Sequence, residues 1–339
     1  TCNAGAPGRA GGVAGGDVGD ERGGAEDLGD VVGDGKPTVY PNSNYSSKMD
    51  AKKAIPVNAF KVNHIAIVES LPANEFQTGW ELAGYLGGQL EDSQKPITVS
   101  HANVSTPNEF RATVERLTRR AQGEGLRPML HVEAHGEDDF GLHLRDGKVH
   151  WREICDALIP LNRASGFNLL LSVSACFGMN CISGVRLSRG SPCYALLGPS
   201  QDLTGSDLLG RFRSFYREII HSQDLDRALA AINQDRLERG QMVFVLAEDW
   251  FEELMLEYLR SAAHPKEVKA AAMRTYLKAK NAGAKTTLTE IKRQLATNRP
   301  LLARHYFSEF FMVEDVPENA ARFATLRHAM ELTIDGLTR

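Results

Sequence analysis

The sequence predicts an α/β fold: a mostly parallel six-stranded sheet flanked by helices, followed by a C-terminal helical extension. Three observations carry this expectation. From Phe60 to Leu246, apolar runs of strand length alternate with stretches whose apolar residues recur at helical spacing. The order strand, helix, strand, helix, strand at the start of that region calls for parallel pairing through right-handed crossovers. Beyond Leu246 helical spacing alone continues, with breaks expected at Pro265, near Gly283 and around Pro300.

Taken in order, residues 1–55 form a leader unlike the rest. Its glycine pairs (Gly11-Gly12, Gly15-Gly16, Gly23-Gly24) and acids include no aromatic residue before Tyr40. Such a segment buries too little surface to offset its ordering entropy, so it is expected to be disordered. Val62 to Val68 reads as a buried strand, Asn74 to Leu86 as a helix, and Ile97 to Val104 as a second strand. Ser105-Thr106-Pro107-Asn108-Glu109 supplies a hydroxyl cap, a first-turn proline and an acid, and the helix it starts ends at Gly123 and Gly125. A strand begins at Met129. Phe140 to Arg145 and Lys148 to Trp151 flank Asp146-Gly147, a dipeptide suited to the positive φ angles of a tight hairpin turn. Trp151 to Leu161 is a helix, Phe167 to Ala175 a strand, Gly178 to Leu187 a short helix, and Pro192 to Gly198 a strand. An uncapped polar loop over Pro199 to Gly205 leads to helices at Asp207–Ile220 and Asp224–Arg239, then to a strand at Met242–Leu246. The domains expected are therefore the leader over 1–55, an α/β domain over 56–247, and the helical extension over 248–339.

Composition narrows the function. A chain of 339 residues with 42% apolar content can bury a sizeable core. Its net charge of −4 and pI near 6.2 argue against a general nucleic-acid binder. The longest apolar runs, such as Phe167 to Val173, are too short to span a bilayer, and no charged-then-apolar signal segment opens the sequence. Five cysteines without metal-ligand spacing suit reduced thiols and a cytoplasmic location.

Two stretches carry the chemistry. Met129-Leu130-His131-Val132-Glu133-Ala134-His135-Gly136 and Leu169 to Gly178 are apolar runs that each stop at a reactive side chain closely followed by glycine. Neighbouring parallel strands would bring His135 and Cys176 together at the carboxyl edge of the sheet, where open α/β sheets bind ligands. There the pair can form a thiolate–imidazolium nucleophile. Gly136 lets the backbone approach a substrate closely, and its N–H with that of Cys176 could serve a developing oxyanion. Cys176 also lies where a helix is expected to start, an arrangement that favours the thiolate. No metal or cofactor is needed for this chemistry.

The order strand–His135-Gly136, then strand–Ala175-Cys176-Phe177-Gly178, resembles the caspase-like cysteine peptidases: caspases, metacaspases, separase and bacterial caspase-like domains. Cys176 follows His135 by 41 positions, below the roughly 50 of caspases. The hairpin after Gly136 is similar to that of bacterial domains of the CHAT type. So is the sequel of Leu196-Leu197-Gly198-Pro199, Asp207, Phe212, Phe215-Tyr216 and Ala228-Leu229. The resemblance covers about residues 60 to 247. It implies a thiol protease, a cysteine endopeptidase that cleaves a specific protein partner in regulated proteolysis, such as antiviral defence or cell death in bacteria. Two departures bear on specificity. Ser174 stands where caspases carry Gln and where trypsin-like members often carry an acid, and Phe177 follows the cysteine in place of Arg, Gln or Gly. A basic residue before the scissile bond would be met by Glu133 or Asp202, with Ser174 also lining the site; an acidic one by Arg186 or Arg189.

Other side chains have plainer readings. His131 and His143 sit within strands and read as structural histidines. Cys155 and Cys193 lie on apolar faces, and Cys181, five residues past Cys176, reads as core with a redox partnership to Cys176 as the sharper alternative. Asp138-Asp139 reads as a solvated loop, with cation or substrate binding as its alternative. In the tail, Trp250, Phe251, Leu254, Met255 and Tyr258 form a packing stripe. The basic run from Lys266 to Arg293 reads as a solvated face, or as a surface for an acidic partner such as a regulatory protein, or for a nucleic-acid backbone. Two rival functions remain open at this level: an inactive caspase-like scaffold acting as an interaction module, and a small-molecule thiol hydrolase.

Overall fold

The computed structural model describes residues 61–234, 240–263 and 285–338, together with Ala272, Met273, Tyr276, Leu277, Ala279, Lys280 and Gly283. The glycine-rich leader, the break expected at Pro265 and Lys266, Lys269, Arg274 and Lys278 of the basic run lie outside the described residues. The fold is α/β with a mostly parallel sheet. Its strands are β1 (His64–Ser70), β2 (Thr98–Asn103), β3 (Pro128–Gly136), β4 (Gly141–Leu144), β5 (Gly147–His150), β6 (Leu170–Ser174), β7 (Ala195–Pro199) and β8 (Met242–Leu246). Six of them run across the sheet in the order β2-β1-β3-β6-β7-β8, and β4 and β5 extend it as a hairpin on β3. All neighbours on the six-strand path are parallel except β7 and β8. The sheet thus holds eight strands, the expected six plus the hairpin.

Helices cover both faces. On one lie α1 (Thr78–Ser93) and α4 (Gly205–Ser222), packed on each other; on the other lie α2 (Pro107–Glu124) and α3 (Trp151–Ala164). Local sequence explains α2 well. Thr106 accepts from the Glu109 amide, the Glu109 carboxylate accepts from Thr106 in return, Pro107 opens the helix, and Gly125 ends it at φ 66°. The helix α1 starts four residues later than its periodicity implies. The cause is distant: the buried carboxylate of Glu69 on β1 accepts from the amides of Gly79 and Trp80 at 2.7 and 3.2 Å. A carboxylate there satisfies two of the amides a helix start leaves unpaired and complements its dipole. Residues 71–77 therefore remain a loop at the carboxyl edge.

The hairpin is real, but its turn is displaced by one residue. Leu144 pairs with Gly147, so the central residues are Arg145 and Asp146, and positive φ falls on Gly147 instead. Tertiary bonds set this register. The Arg145 guanidinium donates to the Leu71 carbonyl and to Asn103, its amide donates to Ser70, and the Asp146 amide donates to the Ser105 carbonyl. The loop before α4 is also capped, contrary to expectation: Thr204 accepts from the Asp207 amide.

Past β7 come α5 (Leu225–Asn233), α6 (Ala247–Ala263), α7 (Leu288–Phe310), α8 (Glu318–Arg322) and α9 (Ala324–Thr338). The expected break near Pro300 is absent, since α7 runs through it. The C-terminal helices join the sheet's core at its amino edge. Phe167, just before β6, packs on Phe311 and Phe323, and its carbonyl accepts from Arg322. Arg322 also lies 4.0 Å from the ring of Tyr194, just before β7. The tail thus buttresses the end of the sheet opposite His135 and Cys176. Among the described residues no helix is long and apolar enough to cross a membrane.

Candidate active site

The pairing of β3 with β6 runs Met129 to Leu170 through Glu133 to Ser174, an offset of 41 at every step. The same offset separates His135 from Cys176, which lie two residues past the last paired rank, His135 on β3 and Cys176 in the turn that follows β6. The backbone contact there is close. A Cβ on Gly136 would fall 1.9 Å from the Cys176 carbonyl oxygen, so only glycine fits. The close approach that this glycine serves is thus to the neighbouring strand end.

Side chains alternate along a strand, so His131, Glu133 and His135 share one face of β3, and Ser172 and Ser174 share the matching face of β6, with Cys176 in the turn just beyond. That face lies beneath α1 and α4, and its first two ranks are buried. His131 Nε2 and Glu133 Oε2 are 3.0 Å apart. Thr78 donates to Glu133 Oε1 at 2.6 Å, and the Tyr216 hydroxyl lies 3.3 Å from His131 Nδ1. His131 is fully buried, with Phe212 and Tyr216 edge-on to its ring, as a structural histidine should be. Burial pushes the Tyr216 phenol well above its ordinary range. Both oxygens of Glu133 are committed within this network and the residue is only 4% exposed, so it is not presented to a substrate. The expectation that it supplies a pocket charge is corrected accordingly. Ser174 stands opposite Glu133, and its buried hydroxyl has no hydrogen-bond partner among the described residues, whereas the Ser172 hydroxyl interacts with the Tyr216 phenol.

At the strand ends His135 opens to solvent while Cys176 stays buried. His135 is 42% exposed, and its Nε2 lies 2.9 Å from the carboxylate of Glu75, in the loop between β1 and α1. Cys176 is 9% exposed, and its thiol donates to the Leu203 carbonyl at 3.7 Å, in the loop between β7 and α4. Each side chain of the pair is therefore met by the loop entering one of the two helices above this face. Nothing in the sequence around Glu75 marked it, because its partner is 60 residues away. Strand order could have directed attention there. β1 connects outward to β2 while β3 lies on its other side, so the crevice of the topological switch falls between β1 and β3.

Beyond Cys176 the chain departs from expectation. Phe177 takes the left-handed conformation at φ 57°, unusual for a bulky side chain, and a single 3₁₀ helix follows over Gly178–Gly184. Cys176 is therefore in a turn two residues before a short 3₁₀ helix, and the dipole of an α-helix start does not act on it.

The remaining candidates fall into place around this edge. Asp202 is exposed, beside Leu203 in the loop over the thiol. Arg186 donates to both carboxylate oxygens of Asp156 on α3 at 2.7 and 2.9 Å, and Arg189 lies 3.8 Å from the same group. Asp138 ties the loop after Gly136 to the 3₁₀ helix, accepting from Asn180 through its carbonyl at 3.0 Å. His143 pairs with Glu137 across the hairpin, and Lys148 joins them. The hydrogen bond from His143, then that from Lys148, holds the Glu137 carboxyl below its ordinary range. Cys181 faces Cys155 rather than Cys176, with the sulfurs 3.7 Å apart. Its proximity and then burial push the Cys155 thiol well up, and burial does the same to Cys193. Among the described residues no group of three or more His, Cys, Asp or Glu is arranged to hold a metal ion. Neither protein-family models nor curated protein sequences match this chain.

Proposed function

We propose that this chain is a cysteine endopeptidase of the caspase-like type, with Cys176 as nucleophile and His135 as general acid and base. The observation that supports it most is the register of β3 on β6, whose offset of 41 equals the spacing of His135 and Cys176 just past the last paired residues of these adjacent strands. In this reading the Cys176 sulfur attacks the scissile carbonyl, and the Gly136 and Cys176 amides stabilise the oxyanion. His135 gives its proton to the departing amine, then takes one from the water that hydrolyses the thioester. Exposed Phe76 and Trp80, beside Glu75, offer an apolar rim suited to an extended polypeptide. Of the two acids expected to meet a basic residue before the scissile bond, Asp202 is the exposed one, beside Leu203 over the thiol, which favours that preference. The Leu203 carbonyl over Cys176 fits a latent protease whose 200–204 loop must shift for substrate to enter. A cytoplasmic role in regulated proteolysis, as in bacterial defence, is the corresponding biological setting.

A fluorogenic peptide library with each residue type before the scissile bond tests this. Cys176→Ala and His135→Ala should each abolish cleavage while leaving the unfolding temperature unchanged; cleavage that survives in the Cys176 variant overturns it. The low exposure of Cys176 favours one rival, an inactive scaffold that recruits partners. Selective labelling of Cys176 by a thiol-reactive peptide probe argues for the enzyme, and its absence for the scaffold.

A further inference from the structure

We infer that Glu75 is the positioning residue for His135, making the site a three-membered relay rather than a bare cysteine–histidine pair; this rests on the dyad reading above. The geometry is specific. Glu75 approaches Nε2 of the ring at 2.9 Å, which leaves Nδ1 as the nitrogen able to work on the thiol. In the neutral ring a carboxylate on one nitrogen holds the proton there, so the other carries the lone pair a general base needs. When Cys176 gives up its proton, the same carboxylate stabilises the imidazolium that forms.

Several features single this contact out. Four histidine–carboxylate pairs occur near this end of the sheet: His131 with Glu133, His101 with Glu69, His143 with Glu137, and His135 with Glu75. Glu133 and Glu69 have further partners in the core: Thr78 on the first, two helix amides on the second. Glu137 also holds Lys148. The Glu75 carboxylate meets His135, while the Glu75 backbone closes a turn, its amide donating to the Pro72 carbonyl at 3.0 Å and its carbonyl accepting from Gln77 at 2.9 Å. The contact spans the switch crevice between β1 and β3, and the late start of α1 is what leaves residues 71–77 free to bring the carboxylate across. Glu69, by anchoring that start, indirectly sets where Glu75 sits.

The test uses the full chain and iodoacetamide, with alkylation of the Cys176 peptide followed by mass spectrometry across pH, and nitrogen NMR of the His135 ring. In the wild type the ring should carry its proton on Nε2. Glu75→Gln keeps a hydrogen-bond acceptor but not the charge, and should slow alkylation at about pH 6 by roughly tenfold and move the profile to higher pH. Glu75→Ala should do more and scramble the tautomer, whereas Glu75→Asp should recover much of the rate. None of the three should alter the unfolding temperature, because both partners are half-exposed. His135→Ala should be slow by itself, and adding Glu75→Gln to it should slow it no further. If the Glu75 variants overlay the wild type while His135→Ala is slow, Glu75 has no positioning role and the dyad stands. If His135→Ala also overlays the wild type, the dyad reading fails and the inference falls with it.

Discussion

Strand β3 carries two histidines four residues apart on one face, each paired with a glutamate, and the two pairs have opposite fates. His131 and Glu133 are 0% and 4% exposed, and Thr78 and Tyr216 complete their hydrogen bonds. His135 and Glu75 are each 42% exposed, at the mouth of the crevice. Separation hardly differs, 3.0 against 2.9 Å. What differs is solvent and the number of partners. A buried pair must be satisfied on every polar atom, because an unmatched one bears the full desolvation penalty, and it is thereby locked into structure. A half-exposed pair contributes little to stability, and its proton remains exchangeable with a neighbour such as a thiol. Identical residue pairs thus lock into the core or stay open to solvent according to depth below the sheet's edge.

This contrast can be broken in steps. The largest effect should come from Glu133→Ala, which strands His131 and the Thr78 hydroxyl in the core and should cost about 3–5 kcal/mol, read by urea unfolding. Gly136→Ala should follow at about 3 kcal/mol, since its methyl would overlap the Cys176 carbonyl and force the two strand ends apart; loss of Cys176 alkylation should accompany it. A buried histidine without a carboxylate supplies a third measurement. His64 on β1 lies between the Thr98 and Ser100 hydroxyls at 2.7 and 2.8 Å, and burial, with the charge of Arg120, lowers its pKa from 6.5 to about 4. The unfolded chain therefore binds a proton below 6.5 that the folded chain does not bind until about 4. The stabilisation is full above 6.5 and is lost as pH falls from 6.5 to about 4, on the order of 2 kcal/mol after allowance for solvent screening. His64→Gln should flatten that part of a stability–pH curve. Glu75→Ala should be the smallest of all in stability, below about 0.5 kcal/mol. Equal losses at Glu75 and Glu133 in parallel urea titrations would erase the contrast.

Much of this was legible in the residues themselves. The apolar runs of β1, β3, β6 and β7 were plain because buried parallel strands are apolar on both faces. The start of α2 was equally plain, since its cap, proline and acid are neighbours in sequence. His135 and Cys176 were picked out as strand ends with glycine beside them. Less accessible were features whose cause lies far along the chain. The hairpin turn at Arg145-Asp146 follows from bonds to Leu71, Asn103 and Ser105, and the start of α1 from Glu69. Glu133 looked like an edge acid because its alternation matched that of His135; only the depth of its rank beneath α1 and α4 shows otherwise. Arg186 and Arg189 were free cations in sequence and prove to be bound to Asp156.

The sequence by itself determined most element types and their mostly parallel order, because hydrophobic period, caps and glycines act within a few residues of one another. The tertiary structure decided which of the acids meets a histidine in the open, that Leu203 covers the thiol, and that the tail supports the amino edge. Each of these depends on pairing register and on loops that converge only when the sheet is assembled. A hydrogen bond between residues 60 apart has no local signature, since its distance is set by strand order and not by the residues between.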